Sequence, residues 1–391
     1  MKASIIAYAV ALGLCAGMSL SITQAAAQTL TPVATTSSPG SLLIFPLISV
    51  DPTVATDTII EISNDSSENP VTLECSYINE LKGRASFNIQ LTPKESVSWD
   101  VATGANDNAA VPSFPSASPW NPPPPPGNPG GQPFSANRGE LVCFAVDSAI
   151  SNQIAFNHLS GVATVFDLAL PGLEPKVALR YKPWSFVARG ANNIPAADDT
   201  VMGEAGKLVL SGAGAGTYDA CPAISHGEFM SNGSTLGAMT TVANFMAVAT
   251  CNQDLRHFYA FNVTKVQFET WNSNEVAFFP AWQCVDTTAF LGLGGFDKNV
   301  ANGAAFDFFT LQTPVASFSV AGVQSTECDY LNSPVENAGL LPVATTIVEF
   351  GRDQFQAVGA DVSAGSSGTS GGSVPAQPGF VLWGLGLVKR G

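Results

Sequence analysis

The cysteines are the side chains with the clearest chemical implication. Cys15 lies in the apolar start of the chain, which leaves Cys75, Cys143, Cys221, Cys251, Cys284 and Cys328 in the body. An even set in an exported chain points to oxidation into disulfides, although six thiols allow fifteen pairings. No pair has CxxC spacing, the arrangement that zinc and dithiol redox sites commonly use. The expected bridges are Cys75 to Cys143, Cys221 to Cys251 and Cys284 to Cys328, the last two chosen for closeness in sequence.

The other reactive side chains are few. Nucleophilic hydrolysis needs a base beside its nucleophile, and the histidines on offer are His158, His226 and His257. No HExxH pair occurs, and the GxSxG string at 368–372 falls inside the Gly/Ser-rich run, where no strand-to-helix nucleophile elbow is expected. His226-Gly227-Glu228 follows Asp219 closely, but no further histidine stands at ligand spacing. Two carboxyl groups suffice for glycoside hydrolysis, which makes Glu228, Glu269 and Glu275 the candidates; Glu269, however, alternates with Val266 and Phe268 and is expected on the wet side of a strand. Asn106-Asp107-Asn108 and Asp198-Asp199 carry the oxygens that calcium prefers without matching an EF-hand, so they are expected to be solvated loops. No catalytic residue, metal or cofactor is therefore expected, and the chain is read as not an enzyme. Trp271, on a strand face with Gln267 and Glu269, is the candidate ligand contact. Trp184 and Trp282 lie in or beside strands, and Trp99 falls on an apolar face as core.

The elements that would position these residues read as strands. Val71, Leu73, Cys75 and Tyr77 alternate with Thr72, Glu74 and Ser76. Phe87, Ile89 and Leu91 repeat the pattern, as do Val97, Trp99 and Val101, and the three segments are expected to form one antiparallel sheet with a wet face. Residues 42–50 are an apolar run broken by Pro46, which predicts an edge or bulged strand. Residues 140–147 read as a central strand. The Pro/Gly-rich segment 112–133 is expected to be a stiff loop within the first domain. Strand signals fade across 189–205 and resume beyond it in short, turn-separated runs.

Cys75, Trp99 and Cys143 together resemble the immunoglobulin fold, in which two cysteines on facing sheets pack on a tryptophan. Here Leu141 takes the place of the family's tyrosine before the second cysteine, and only the sandwich architecture is carried over. The expected fold is all-β, with two antiparallel β-sandwich domains, Ig-like in outline and stapled by disulfides, over 41–188 and 206–355, joined by a linker at 189–205.

The ends set the compartment. Lys2, the apolar stretch 5–20 and Ala25-Ala26-Ala27 have the form of a secretory signal over 1–27, cut before Gln28 and followed by an extension over 28–40. At the other end, 356–379 is a Gly/Ser-rich linker and 380–391 a short apolar tail closing in Lys389-Arg390-Gly391. The tail resembles bacterial surface-sorting tags in outline; it could equally add as a strand to a neighbouring subunit or fold back as a last strand. Its apolar part is too short to span a bilayer, and no spanning segment is expected in the mature chain.

Charged residues make up only 12% of the chain, the formal charge is −15 and the bases are scattered, which argues against a nucleic-acid partner. The expected function is a secreted or surface-held structural or adhesion protein of the bacterial envelope, with the periplasm as a further location. Its partners would be other envelope or extracellular proteins, itself, or glycans. The alternatives are a secreted carbohydrate-binding or carbohydrate-active protein and a self-assembling subunit that uses its C-terminal strand.

Overall fold

The computed structural model describes residues 31–51, 55–80, 83–106, 111–115, 137–170, 173–231, 240–251, 254–256, 264–285, 287–292, 311–323, 339–350, 355–360 and 363–365. Its strands begin with β1 (Leu42–Ser49), β2 (Asp57–Asn64), β3 (Val71–Asn79), β4 (Arg84–Leu91), β5 (Ser96–Asp100), β6 (Arg138–Val146), β7 (Asn152–Ile154), β8 (Leu159–Leu170), β9 (Leu173–Tyr181), β10 (Trp184–Phe186), β11 (Ala188–Arg189) and β12 (Val201–Glu204). They continue with β13 (Thr217–Tyr218), β14 (Ile224–Met230), β15 (Thr240–Thr250), β16 (Thr264–Asn272), β17 (Ala277–Val285), β18 (Thr288–Gly292), β19 (Val315–Val323), β20 (Leu340–Phe350), β21 (Phe355–Ala360) and β22 (Ser363–Gly365). Thr31–Gly391 is one compact unit. The protein is nearly all β, and the described strands pair antiparallel.

In the first half, a sheet ordered β10-β1-β6-β3-β4, extended by β7 and β12, packs on a second sheet ordered β5-β2-β8-β9. Alternation explains the layer between them. Ile60 and Ile62 of β2 point inward, as do Leu73, Cys75 and Tyr77 of β3, Phe87, Ile89 and Leu91 of β4, and Val97 and Trp99 of β5. These side chains form one continuous core.

Here the structure departs from the expected single sheet of three strands. β3 does pair with β4, but β5 pairs with β2 in the facing sheet. The turn between β4 and β5, closed by the Thr92 N–H and hydroxyl donating to Glu95 Oε2 at 2.6 and 2.7 Å, carries the chain across the core. Strands on either sheet show the same alternation, because both present their apolar side to the same interior.

The bridge between Cys75 and Cys143 also differs from the immunoglobulin-like outline. The two residues stand opposite each other on the neighbouring strands β3 and β6, with Cα atoms 4.1 Å apart, so the disulfide ties strands within one sheet. Trp99 reaches across from the facing sheet, and its indole N–H donates to the Tyr77 hydroxyl at 2.6 Å. An edge-on contact between Phe87 and Trp99 completes the cluster.

β1 is bulged, as Pro46 implies, but it is a central strand. β10 pairs with it only over Leu42–Ile44, and its register against β6 shifts between Phe45 and Ile48. Pro46 thus lies beyond the reach of β10, where its missing N–H breaks no ladder on that side. Residues 189–205 hold a 3-10 turn at Ala191–Asn193 and β12, which pairs with β7. Of the segment 112–133, residues 112–115 are described, and Phe114 is buried against Tyr77.

In the second half, a sheet ordered β17-β16-β19-β14-β22 packs on one ordered β18-β15-β20-β21. Phe229, Met246, Val248, Val266, Phe268 and Phe318 belong to the core between them. Cys221 and Cys251 are bridged, with Cα atoms 6.4 Å apart. Gly339 permits this approach, because a Cβ there would stand 2.5 Å from the Cys221 Cβ. Cys284 is also disulfide-bonded; Cys328, its expected partner, lies outside the described residues.

The Cys75–Cys143 bridge closes a separation of 68 residues, so it restricts the unfolded chain strongly. The double variant Cys75→Ala/Cys143→Ala is expected to lose about 2–4 kcal/mol of unfolding free energy, measured by urea denaturation against the oxidised wild type.

Candidate binding face

β14, β16 and β19 each send alternate residues into the core, which leaves the other residues outward. On β16, Thr264, Val266, Phe268 and Thr270 are buried, whereas Lys265, Gln267, Glu269 and Trp271 are half-buried or exposed. On β19, Ala316, Phe318 and Val320 are buried and Ser317 is exposed. On β14, Phe229 is buried while His226 and Glu228 look outward. Gly227 allows Phe318 to pack closely against this strand, since a Cβ there would meet the Phe318 ring at 2.6 Å.

Strand register turns these separate patterns into rows. Trp271 pairs with Ser317, which pairs with Glu228. One row along, Glu269 pairs with Ser319, which pairs with His226. Trp271 and Glu228 are therefore about 10 Å apart at Cα, two strand spacings, while Trp271 and Glu269 are about 7 Å apart along one strand. Trp271, Glu269, Glu228 and His226, singled out separately in the sequence, thus share one face. Burial pushes the His226 imidazole below its ordinary value, which favours the neutral ring.

The remaining candidates lie elsewhere. Glu275 sits at left-handed φ of 62° in the β16–β17 turn, where its N–H donates to the Asn272 carbonyl at 2.9 Å. Trp99 and Trp184 are buried, and the Trp184 indole donates to the Pro342 carbonyl at 3.1 Å. Trp282 is opposite Gln267 on the outer face, but the Lys265 ammonium stands 4.4 Å from its ring centroid and occupies that ring by cation–π attraction.

Asp219 is buried against Arg189 and accepts from the Val187 N–H at 3.0 Å. Burial pushes its pKa above the ordinary aspartate value, with the Val187 hydrogen bond and the Arg189 charge opposing. Asp219 thus works as a structural anchor on the segment before β14 and leaves His226 to the sheet face.

His158 lies between Asp65 at 3.0 Å and Asp198 at 3.4 Å, joining three loops. The Asn69 amide donates to the same Asp198 carboxyl at 2.9 Å. Asn106 donates to the Gly104 carbonyl at 3.0 Å. Asp107, Asn108 and His257 lie outside the described residues, as does the tail 380–391.

A pair of carboxyl groups not singled out from sequence occurs at the ends of β2 and β5. Asp57 and Asp100 share a hydrogen bond; burial foremost, and then this bond, push Asp57 up to about 6. Asp57 Oδ1 accepts from the Thr58 and Ala102 N–H groups at 2.6 and 3.1 Å. Burial also works against ionised Asp100, but hydrogen bonds from Asp57 and from the Thr103 N–H and hydroxyl outweigh it and hold Asp100 below the usual carboxylate range. Between 3.8 and about 6 the pair retains a proton that a separate aspartate would lose. In sequence they stand 43 positions apart, and only the β2–β5 register reveals the partnership.

No protein-family model matches the chain, and no curated protein is significantly similar to it in sequence.

The shared proton has a measurable sign. Folded Asp57 binds a proton in the window between 3.8 and about 6, where an unfolded aspartate releases it, so its contribution to stability falls as pH rises through that window. Asp57→Asn keeps the backbone acceptor and offers an amide donor to Asp100. Relative to wild type, this variant is expected to gain stability between pH 4 and pH 7, by about 1 kcal/mol after allowing for partial solvent exposure, in urea titrations across that range.

Proposed function

We propose that this is an exported, non-catalytic structural or adhesion protein of the bacterial envelope or extracellular space. The observation that carries the proposal is the pair of disulfides, Cys75–Cys143 and Cys221–Cys251, in a β-sandwich-like body. Such bridges persist where thiols are oxidised, outside the reducing cytoplasm. The signal-like residues 1–27 supply the route, and the Gly/Ser-rich segment before the apolar tail suits a protein displayed or assembled at a surface.

The disposition of polar side chains supports a scaffold role. Asp219 with Arg189 and His158 with two aspartates each fasten loops to the β framework. No helix among the described residues is long and apolar enough to cross a membrane.

Expression of the full chain in a bacterium with a functional export pathway is expected to give a mature N-terminus at Gln28 and protein outside the cytoplasm, read by N-terminal sequencing and cell fractionation. Uncleaved protein held in the cytoplasm with free thiols would overturn the proposal.

A further inference from the structure

We propose that the outer face of β16, β19 and β14 binds a glycan without anionic groups, with Trp271 as the stacking platform and Glu269, Glu228, Gln267 and Ser317 as polar contacts. This inference deepens the adhesion reading and rests on it only for the compartment in which the glycan is met. The face itself is defined by strand register and burial alone.

A pyranose ring pairs a patch of C–H groups with a rim of hydroxyls. It therefore requires an apolar plate bordered by groups that accept and donate hydrogen bonds. Trp271 supplies the plate at an outward position, with Glu269 beside it on β16 and Ser317 then Glu228 in its own row. Gln267 extends the polar border along the same strand. The other described tryptophans are committed, Trp99 and Trp184 to the core and Trp282 to Lys265.

Charge selects among glycans. Two carboxyl side chains flank Trp271, and Lys265 lies six residues along β16, about 20 Å away at strand rise. The formal charge of the whole chain, −15, acts in the same direction. Uronate and sulfated polymers are repelled, whereas neutral glycans are accepted and amine-bearing ones gain from the carboxyl groups. The rows span several residues of a sheet, which suits an extended oligosaccharide better than a single sugar.

The test is a glycan array probed with the full mature chain, followed by titration of the retained oligosaccharides. Neutral or amine-bearing oligosaccharides are expected to bind, with polyuronates and sulfated glycans unbound. Trp271→Ala should weaken binding about tenfold, while Trp271→Phe stays within a few-fold of wild type. Both variants replace an outward side chain, and matched thermal unfolding curves establish that they fold. Glu228→Gln should reduce any preference for amine-bearing over neutral glycans.

Absence of glycan binding by folded wild type, binding confined to anionic glycans, or undiminished binding by Trp271→Ala would each overturn the proposal. Retention of a lysine-rich peptide with no glycan would overturn it in favour of a protein partner. Cell fractionation is read independently, so failure on the array leaves the assignment of compartment untouched.

Discussion

The rest of the structure depends on the burial of β1. All eight residues of Leu42–Ser49 are buried, so this strand cannot leave a backbone polar group to water on either side. β6 and β10 satisfy the regular part, and the bulge at Pro46 and Leu47 is completed by side chains from other strands. The Leu47 N–H donates to the Tyr181 hydroxyl at 3.1 Å, and that hydroxyl donates in turn to the Leu47 carbonyl. Thr288 donates to the Pro46 carbonyl at 3.3 Å, and Thr58 both donates to the Ser49 carbonyl and accepts from the Ser49 N–H. A buried polar group left unmade typically costs about 1–3 kcal/mol, so these few hydroxyls weigh as much as a sizeable apolar contact.

Those hydroxyls come from β9, β18 and β2, which ties β1 to both halves of the chain. The sheet containing β15 and β20 must consequently serve two interiors. Phe245 and Ala247 of β15 join the core of the first half, whereas Met246 and Val248, on its other face, join the core of the second. Leu341 of β20 packs with Trp184 and Phe186 on the second face of the β1 sheet. With β15 and β20 covered on both sides, the sheet of β16, β19 and β14 is left as an outer layer, and its outward positions carry the polar and aromatic rows. The location of the candidate binding face thus follows from the layering that β1 imposes.

Period-two alternation was legible wherever a strand has one wet side, as in Val71 to Tyr77, Phe87 to Leu91 and Lys265 to Trp271. It identified Trp99 as inward and Trp271 as outward because side-chain direction along a strand is local. Sheet membership is not local, and this is why β5 was expected beside β4 although it pairs with β2. Pro46 carried a similar ambiguity: the lost N–H signals an irregular strand, but cannot say whether a neighbour stops short of it, as β10 does. The rows that join Trp271 to Glu228 and Glu269 to His226 depend on the registers of three strands far apart in sequence. Each residue was identifiable as a candidate; their juxtaposition was not.

The edges of the outer sheet favour recognition through its face over recognition by strand addition. β17, at one edge, contains Pro280, which lacks the N–H that a continuous ladder with an incoming strand would need. At the other edge, β22 is only three residues long, paired with Ile224, Ser225 and His226 of β14, and offers little backbone for an incoming strand. Natural sheets blunt their edges by such means, and they thereby suppress self-association through backbone pairing. Trp271 lies on the outward face of this sheet, half-buried. A tryptophan there contributes nothing to the core on the far side of β16, and alternation would be served equally by threonine. An aromatic ring set among carboxyl and hydroxyl groups instead gives the sheet the combination of apolar area and directed polar contacts that binding requires.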